Sequence, residues 1–104
     1  MDMTAASGIQ WDEGNRDKCQ KHGVSIAEIE ALFTHSHHLA PDVAHSSTET
    51  RFLAIGSGGG ARPILVAFTL REQGGETLIR PISARYMHLK EIEAYEKSTA
   101  PSDQ

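Results

Sequence analysis

Pro63-Ile64-Leu65-Val66-Ala67-Phe68-Thr69-Leu70 is the stretch on which the fold turns. Apolar residues occupy both alternating faces, which predicts a strand at the centre of a sheet, covered on either side. Downstream, Gln73-Gly74-Gly75 reads as a turn and Thr77–Arg85 as the next strand. Upstream, Glu49–Gly56 carries Phe52, Leu53, Ala54 and Ile55 and reads as another. His38–Val43 is a weaker edge strand, interrupted by Pro41. The short links favour an antiparallel meander over parallel crossovers. Ser57-Gly58-Gly59-Gly60 resembles a phosphate loop only in its glycine content. It lacks a Gly-Lys-Ser/Thr ending and a following helix, so it reads as a strand connection.

The residues outside this block are helical. Ser25 precedes Glu28 by three positions, a capping-box spacing, and Ile26, Ile29, Leu32 and Phe33 follow as one apolar stripe. Asp12 can cap an earlier helix that runs to about His22, with Gly23 where a left-handed residue is wanted. Ile9-Gln10-Trp11 predicts a short opening strand. A last helix over about His88–Lys97 turns Leu89, Ile92 and Tyr95 inward. The order is βααββββα, an α+β domain over residues 9–97, with a small antiparallel sheet of about three or four strands. Residues 1–8 and 98–104 are polar and read as flexible ends.

The chain has 104 residues, enough for one domain. Charged residues make up 23% and hydrophobic ones 38%, which excludes a disordered tail. No window approaches a membrane-spanning run. The N-terminus lacks a basic and apolar signal segment, and the lone Cys19 excludes an intramolecular disulfide framework. Both point to the cytoplasm. The net charge of −4 argues against a general nucleic-acid binder. Its distribution does not: residues 51–90 hold five arginines and Lys90 against Glu72 and Glu76, net +4. An acidic chain with a basic middle can host a phosphate site.

Several short motifs stand in register. Trp11-Asp12, Lys21-His22-Gly23-Val24-Ser25, Arg51-Phe52 with Ile55-Gly56, Ile79-Arg80-Pro81-Ile82-Ser83-Ala84-Arg85, and Glu91 with Tyr95-Glu96 occur in order. Together they resemble the BrnT family of type II toxin–antitoxin toxins, over about Ile9 to Lys97. The resemblance implies a RelE/ParE-like fold and an endoribonuclease that blocks translation without a cofactor. It also implies a BrnA-type antitoxin, through which contact with DNA is indirect. Two positions depart from the family pattern. Phe68 stands where many relatives carry the histidine of a VVHT segment, and Lys18 where many carry asparagine. The rival reading is a catalytically degenerate module that binds an antitoxin and contributes to operon repression.

Metal-independent RNA cleavage needs a base for the 2′-OH, cations for the phosphorane charge and an acid for the 5′-oxygen. Arg85, Arg80 and Arg51 are the candidate cations, because a guanidinium fork binds phosphate and stays charged. Arg80 and Arg85 lie five apart, so strict alternation sends them to opposite faces unless a bulge at Pro81 intervenes. Arg80 has the alternative of pairing with an acid in the first or second helix. His88 and Glu91 share a helix face just after Arg85 and can supply acid and base. Lys21, Tyr86 and Lys90 are candidate RNA contacts. His22 fits better as a charge at a helix C-terminus, and Trp11 as core. His35-Ser36-His37-His38 lacks further ligands at metal spacing and reads as surface histidine.

Overall fold

The computed structural model describes residues 8–35, 37–42, 49–57 and 62–99. Eight elements follow in order: β1 (Gly8–Ile9), α1 (Glu13–Gln20), α2 (Ile26–Thr34), β2 (His38–Pro41), β3 (Phe52–Ser57), β4 (Pro63–Gln73), β5 (Glu76–Tyr86) and α3 (Leu89–Thr99). They form an α+β fold with one sheet in the order β1-β5-β4-β3-β2. The predicted glycine loop after Ser57 and most of both flexible ends lie outside the described residues. Gly8 itself pairs with Leu78, and α3 continues to Thr99, beyond the predicted end of that helix.

The all-antiparallel expectation needs correction. β2 to β5 do form an antiparallel meander, but β1 lies parallel to β5 and completes a five-stranded mixed sheet. Two helices separate β1 from the meander, so no tight turn dictates its direction. Where tight turns exist they behave as read. Gly74 and Gly75 hold φ of 60° and 81° between the paired Gln73 and Glu76. Left-handed values at both central residues are what a two-residue hairpin of primed type requires.

Local chemistry fixes the helices. Asp12 accepts from the Asn15 amide, and the Asn15 side chain accepts from the Asp12 amide in return. Ser25 and Glu28 make the same reciprocal pair at the start of α2. Each pair satisfies two orphan donors of a helix N-terminus. Gly23, at φ 90°, turns the chain between the two helices.

Ile29 and Leu32 of the predicted stripe are fully buried, with Phe33 packed beside them. They meet Ile64, Val66 and Phe68 on one face of β4 and Ala54 of β3. Cys19 lies in this core, where burial pushes its thiol up to about 11 and makes it inert. Leu65, Ala67 and Thr69 alternate to the other face of β4. That second face carries the candidate site. No helix among the described residues is long and apolar enough to cross a membrane.

Candidate functional site

A bulge decides which arginines share a surface. Across β4 and β5, Arg85 pairs with Leu65 and Ser83 with Ala67, but Phe68 pairs with Pro81 and Thr69 with Arg80. Ile82 is therefore the extra residue. Leu65 and Thr69 are four apart, so the bulge returns Arg80 and Arg85 to one face of the sheet. Pro81 sits where the ladder is already interrupted, which makes its missing N–H inexpensive. Its carbonyl accepts from Asn15 Nδ2 at 3.0 Å and ties α1 to the bulge.

Two clefts lie on this surface, and a third adjoins them at the end of β5, where Tyr86 alternates to the helix-covered face. The first, of about 330 Å³, is lined by Lys18, Arg51, Arg71, Arg80 and Glu49, with Pro81 and Ile82 among its walls. The second, of about 430 Å³, has an apolar floor of Leu53, Leu65 and Ala67 between Arg51 and Arg85. Asp42 and Glu91 also border it. The third, of about 360 Å³, is lined by His22, Arg62, Arg85, Tyr86 and His88. Arg51 belongs to the first and second clefts, and Arg85 to the second and third.

Arg85 is held by a bidentate ion pair. Its Nη1 and Nη2 donate to the two Glu91 oxygens at 2.7 Å each, a fork-on-fork pair. Glu91 also accepts the His88 amide at 2.8 Å. The Arg85 bonds first, then the His88 amide, lower the Glu91 carboxyl to about 2. A carboxylate so acidic stays charged and aims the guanidinium. The same partner pushes the Arg85 guanidinium further up.

Arg80 takes the alternative of an acid at the first helix. Its Nη1 lies 2.8 Å from Asp12 at the start of α1 and donates to Gln10 Oε1 at 3.1 Å, and the residue also lines the first cleft. The Asn15 amide and then Arg80 lower the Asp12 carboxyl.

Tyr86 explains how His22 reaches the third cleft. The Tyr86 hydroxyl donates to the Glu28 carboxylate, at 2.9 Å from each oxygen. Glu28 is itself fixed by the capping box of α2, so this contact draws the turn after α1 against the end of β5. His22 then shares a cleft with His88, 66 positions later in the chain. The Arg62 guanidinium lies 5.0 Å from the Tyr86 ring centre, a cation–π contact, and donates to the Met87 carbonyl at 3.2 Å. The sequence reading left both His22 and Arg62 out of the site.

The remaining candidates lie elsewhere. Lys21 and Lys90 are exposed and line none of the three clefts. Trp11 packs against the core and donates to Glu30 at 3.0 Å. His35 and His37 bond to the carbonyls of Ala31 and His35, each at 2.7 Å, which uses one ring nitrogen of each. Among the described residues no cluster of three His, Cys, Asp or Glu is placed to hold a metal ion.

Residues 11–91 match the family model of the ribonuclease toxin BrnT of type II toxin–antitoxin systems. No curated protein matches the chain.

Proposed function

We propose that this chain, which belongs to the BrnT family of ribonuclease toxins of type II toxin–antitoxin systems, cleaves RNA without a metal at the cleft between His22 and His88. The observation that carries this reading is the composition of that cleft: two imidazoles, two guanidiniums and a phenol. One imidazole takes the proton of a ribose 2′-OH, whose oxygen attacks the adjacent phosphorus. The other gives a proton to the departing 5′-oxygen as the P–O bond breaks. The products are a 2′,3′-cyclic phosphate and a 5′-hydroxyl, and no water is consumed. Arg85 and Arg62 stabilise the charge that builds on the phosphoryl oxygens. Glu91 positions Arg85, and Arg51 and Arg80 hold the strand farther along the sheet. The helix-and-sheet arrangement fits the RelE/ParE-like fold expected of such a toxin acting on cytoplasmic RNA.

Cleavage of a labelled oligonucleotide is expected to persist in excess EDTA. His22→Ala and His88→Ala should each lower the rate about a hundredfold. Loss of cleavage in EDTA, restored by a divalent cation, would overturn the metal-independent scheme.

A type II toxin has a protein antitoxin, and we assign that role here to a BrnA-type partner with an acidic segment. Residues 51–90 are net +4, and they supply most of the cations along the three clefts. An acidic strand or helix laid there mimics the RNA backbone and occludes the site. The double variant Arg80→Glu/Arg85→Glu is expected to weaken capture by about 2–5 kcal/mol in calorimetry. Undiminished binding would move the interface elsewhere and favour inhibition by distortion. The degenerate-module reading draws on Phe68 and on a structural feature: Arg85 and Arg80 already face carboxylates, at Glu91 and Asp12.

A further inference from the structure

The first cleft lies at the far end of the surface from His22 and His88, and the reaction scheme gives Lys18 and Arg71 no task. Four cationic side chains line it, and two carboxylates face them: Glu49 on Arg71 at 3.0 Å and Asp12 on Arg80 at 2.8 Å. They come from four parts of the chain: Lys18 from α1, Arg51 just before β3, Arg71 from β4 and Arg80 from the facing strand β5. Arg80 is braced by Asp12 and Gln10. Such convergence is not what scattered surface charge produces. It is the environment that an anionic oxygen cluster selects.

Its position along the sheet gives the cleft a use. Arg51 links it to the middle cleft, and Arg85 links the middle cleft to the reacting one. The three together run from the level of Arg71 to that of Ile64 on β4. Seven strand steps cover roughly 23 Å, which is a length for several nucleotides rather than for a single phosphodiester. Leu53, Leu65 and Ala67 form an apolar floor midway, suited to the face of an unpaired base.

We infer that Lys18, Arg51, Arg71 and Arg80 form a distal phosphate subsite, which makes the ligand a single-stranded RNA of several nucleotides laid across the open face of the sheet. The inference rests on the ribonuclease reading for its ligand class, but binding can be judged without turnover. The probes are 2′-O-methyl oligoribonucleotides of two and of six residues, which lack the attacking hydroxyl. Wild-type protein is expected to bind the hexamer at least about tenfold more tightly than the dimer at low salt. Lys18→Ala/Arg71→Ala should erase that difference and make the hexamer's affinity less steep in salt by about two counterions. If that pair fails to fold in a thermal melt, Lys18→Gln/Arg71→Gln removes the charges while keeping most of each stem.

Equal affinity for the two lengths in the wild type would overturn the subsite. So would a length advantage that survives in a folded double variant. A cleft that serves only an acidic polypeptide gives the first of these results. Cleavage of an unmodified hexamer is scored separately. Binding with length dependence but no cleavage sinks the ribonuclease reading and leaves the subsite standing, whereas cleavage without length dependence does the reverse.

Discussion

Arg85→Ala is expected to abolish growth arrest on expression and to lower the rate of RNA cleavage at least about a hundredfold, with the fold intact. Arg85 borders both the middle and the reacting cleft, and the two Glu91 bonds of 2.7 Å fix the plane of its guanidinium. A donor held in place before the reaction does not have to be reoriented as charge builds on the phosphorane. Removing one such donor costs about 3 kcal/mol of transition-state stabilisation, or roughly two powers of ten in rate. Stability should change little, because the Arg85 and Glu91 side chains are each about a third exposed and such pairs contribute modestly. Glu91 also keeps the His88 amide when the guanidinium is gone. Arg85→Lys sharpens the test: it preserves a charge but loses the planar fork, so its rate should stay closer to the alanine variant than to the wild type. Rapid-quench cleavage and a urea titration on the same preparations separate the two effects. A wild-type protein that is harmless and cuts no RNA would hand the case to the degenerate-module reading.

The elements with strong local signals were legible in the sequence. The Asp12 cap, the Ser25–Glu28 capping box, the glycine pair of the hairpin and the doubly apolar run at 63–70 each act over a few residues, so their patterns survive without tertiary information. The direction of β1 was not legible. A two-residue strand pairing with residues about 70 positions away, at Leu78 and Ile79, has no local determinant of its orientation.

The site was half legible for a related reason. Chemistry and adjacency pick out Arg85, His88 and Glu91, because they fall within seven residues of one another. Whether Arg80 joins them depends on a single extra residue in β5, since one step of register exchanges the faces of a strand. Pro81 hinted at that bulge, but its position is fixed only by the pairing with Phe68. His22 required more: its approach to His88 depends on Tyr86 reaching Glu28, a contact between residues 58 apart. The dipole of a helix read as running to about His22 offered that residue a sufficient role, whereas α1 ends at Gln20. Arg62 precedes the central strand, and only the pairing of Ile64 with Tyr86 brings it beside that ring.

Phe68 bears on both the fold and the chemistry. Phe68→Ala is expected to destabilise the protein by about 3–5 kcal/mol, a large part of the roughly 5–15 kcal/mol that holds a domain of this size. The ring is fully buried. It meets Phe33 edge-on at 5.2 Å and Phe52 at 5.5 Å, so the cavity left behind is walled by two rigid rings that cannot easily collapse into it. The informative companion is Phe68→His, which places an imidazole where the family resemblance leads one to expect it. Position 68 alternates to the helix-covered face of β4, opposite the clefts of Arg85 and Arg80. An imidazole there gains polar nitrogens among hydrocarbon, at a cost of about 1–3 kcal/mol for each one left unsatisfied. Burial also disfavours its charged form. The unfolded chain then binds the extra proton more readily than the folded one, so the variant should lose further stability as pH falls below about 6.5. Urea midpoints at pH 8 and pH 5.5 measure both effects, and cleavage assays should show no gain at either pH. A Phe68→His protein as stable as the wild type and faster on RNA would place position 68 in the chemistry. The reacting surface would then have to be sought beneath the helices and not on the open face of the sheet.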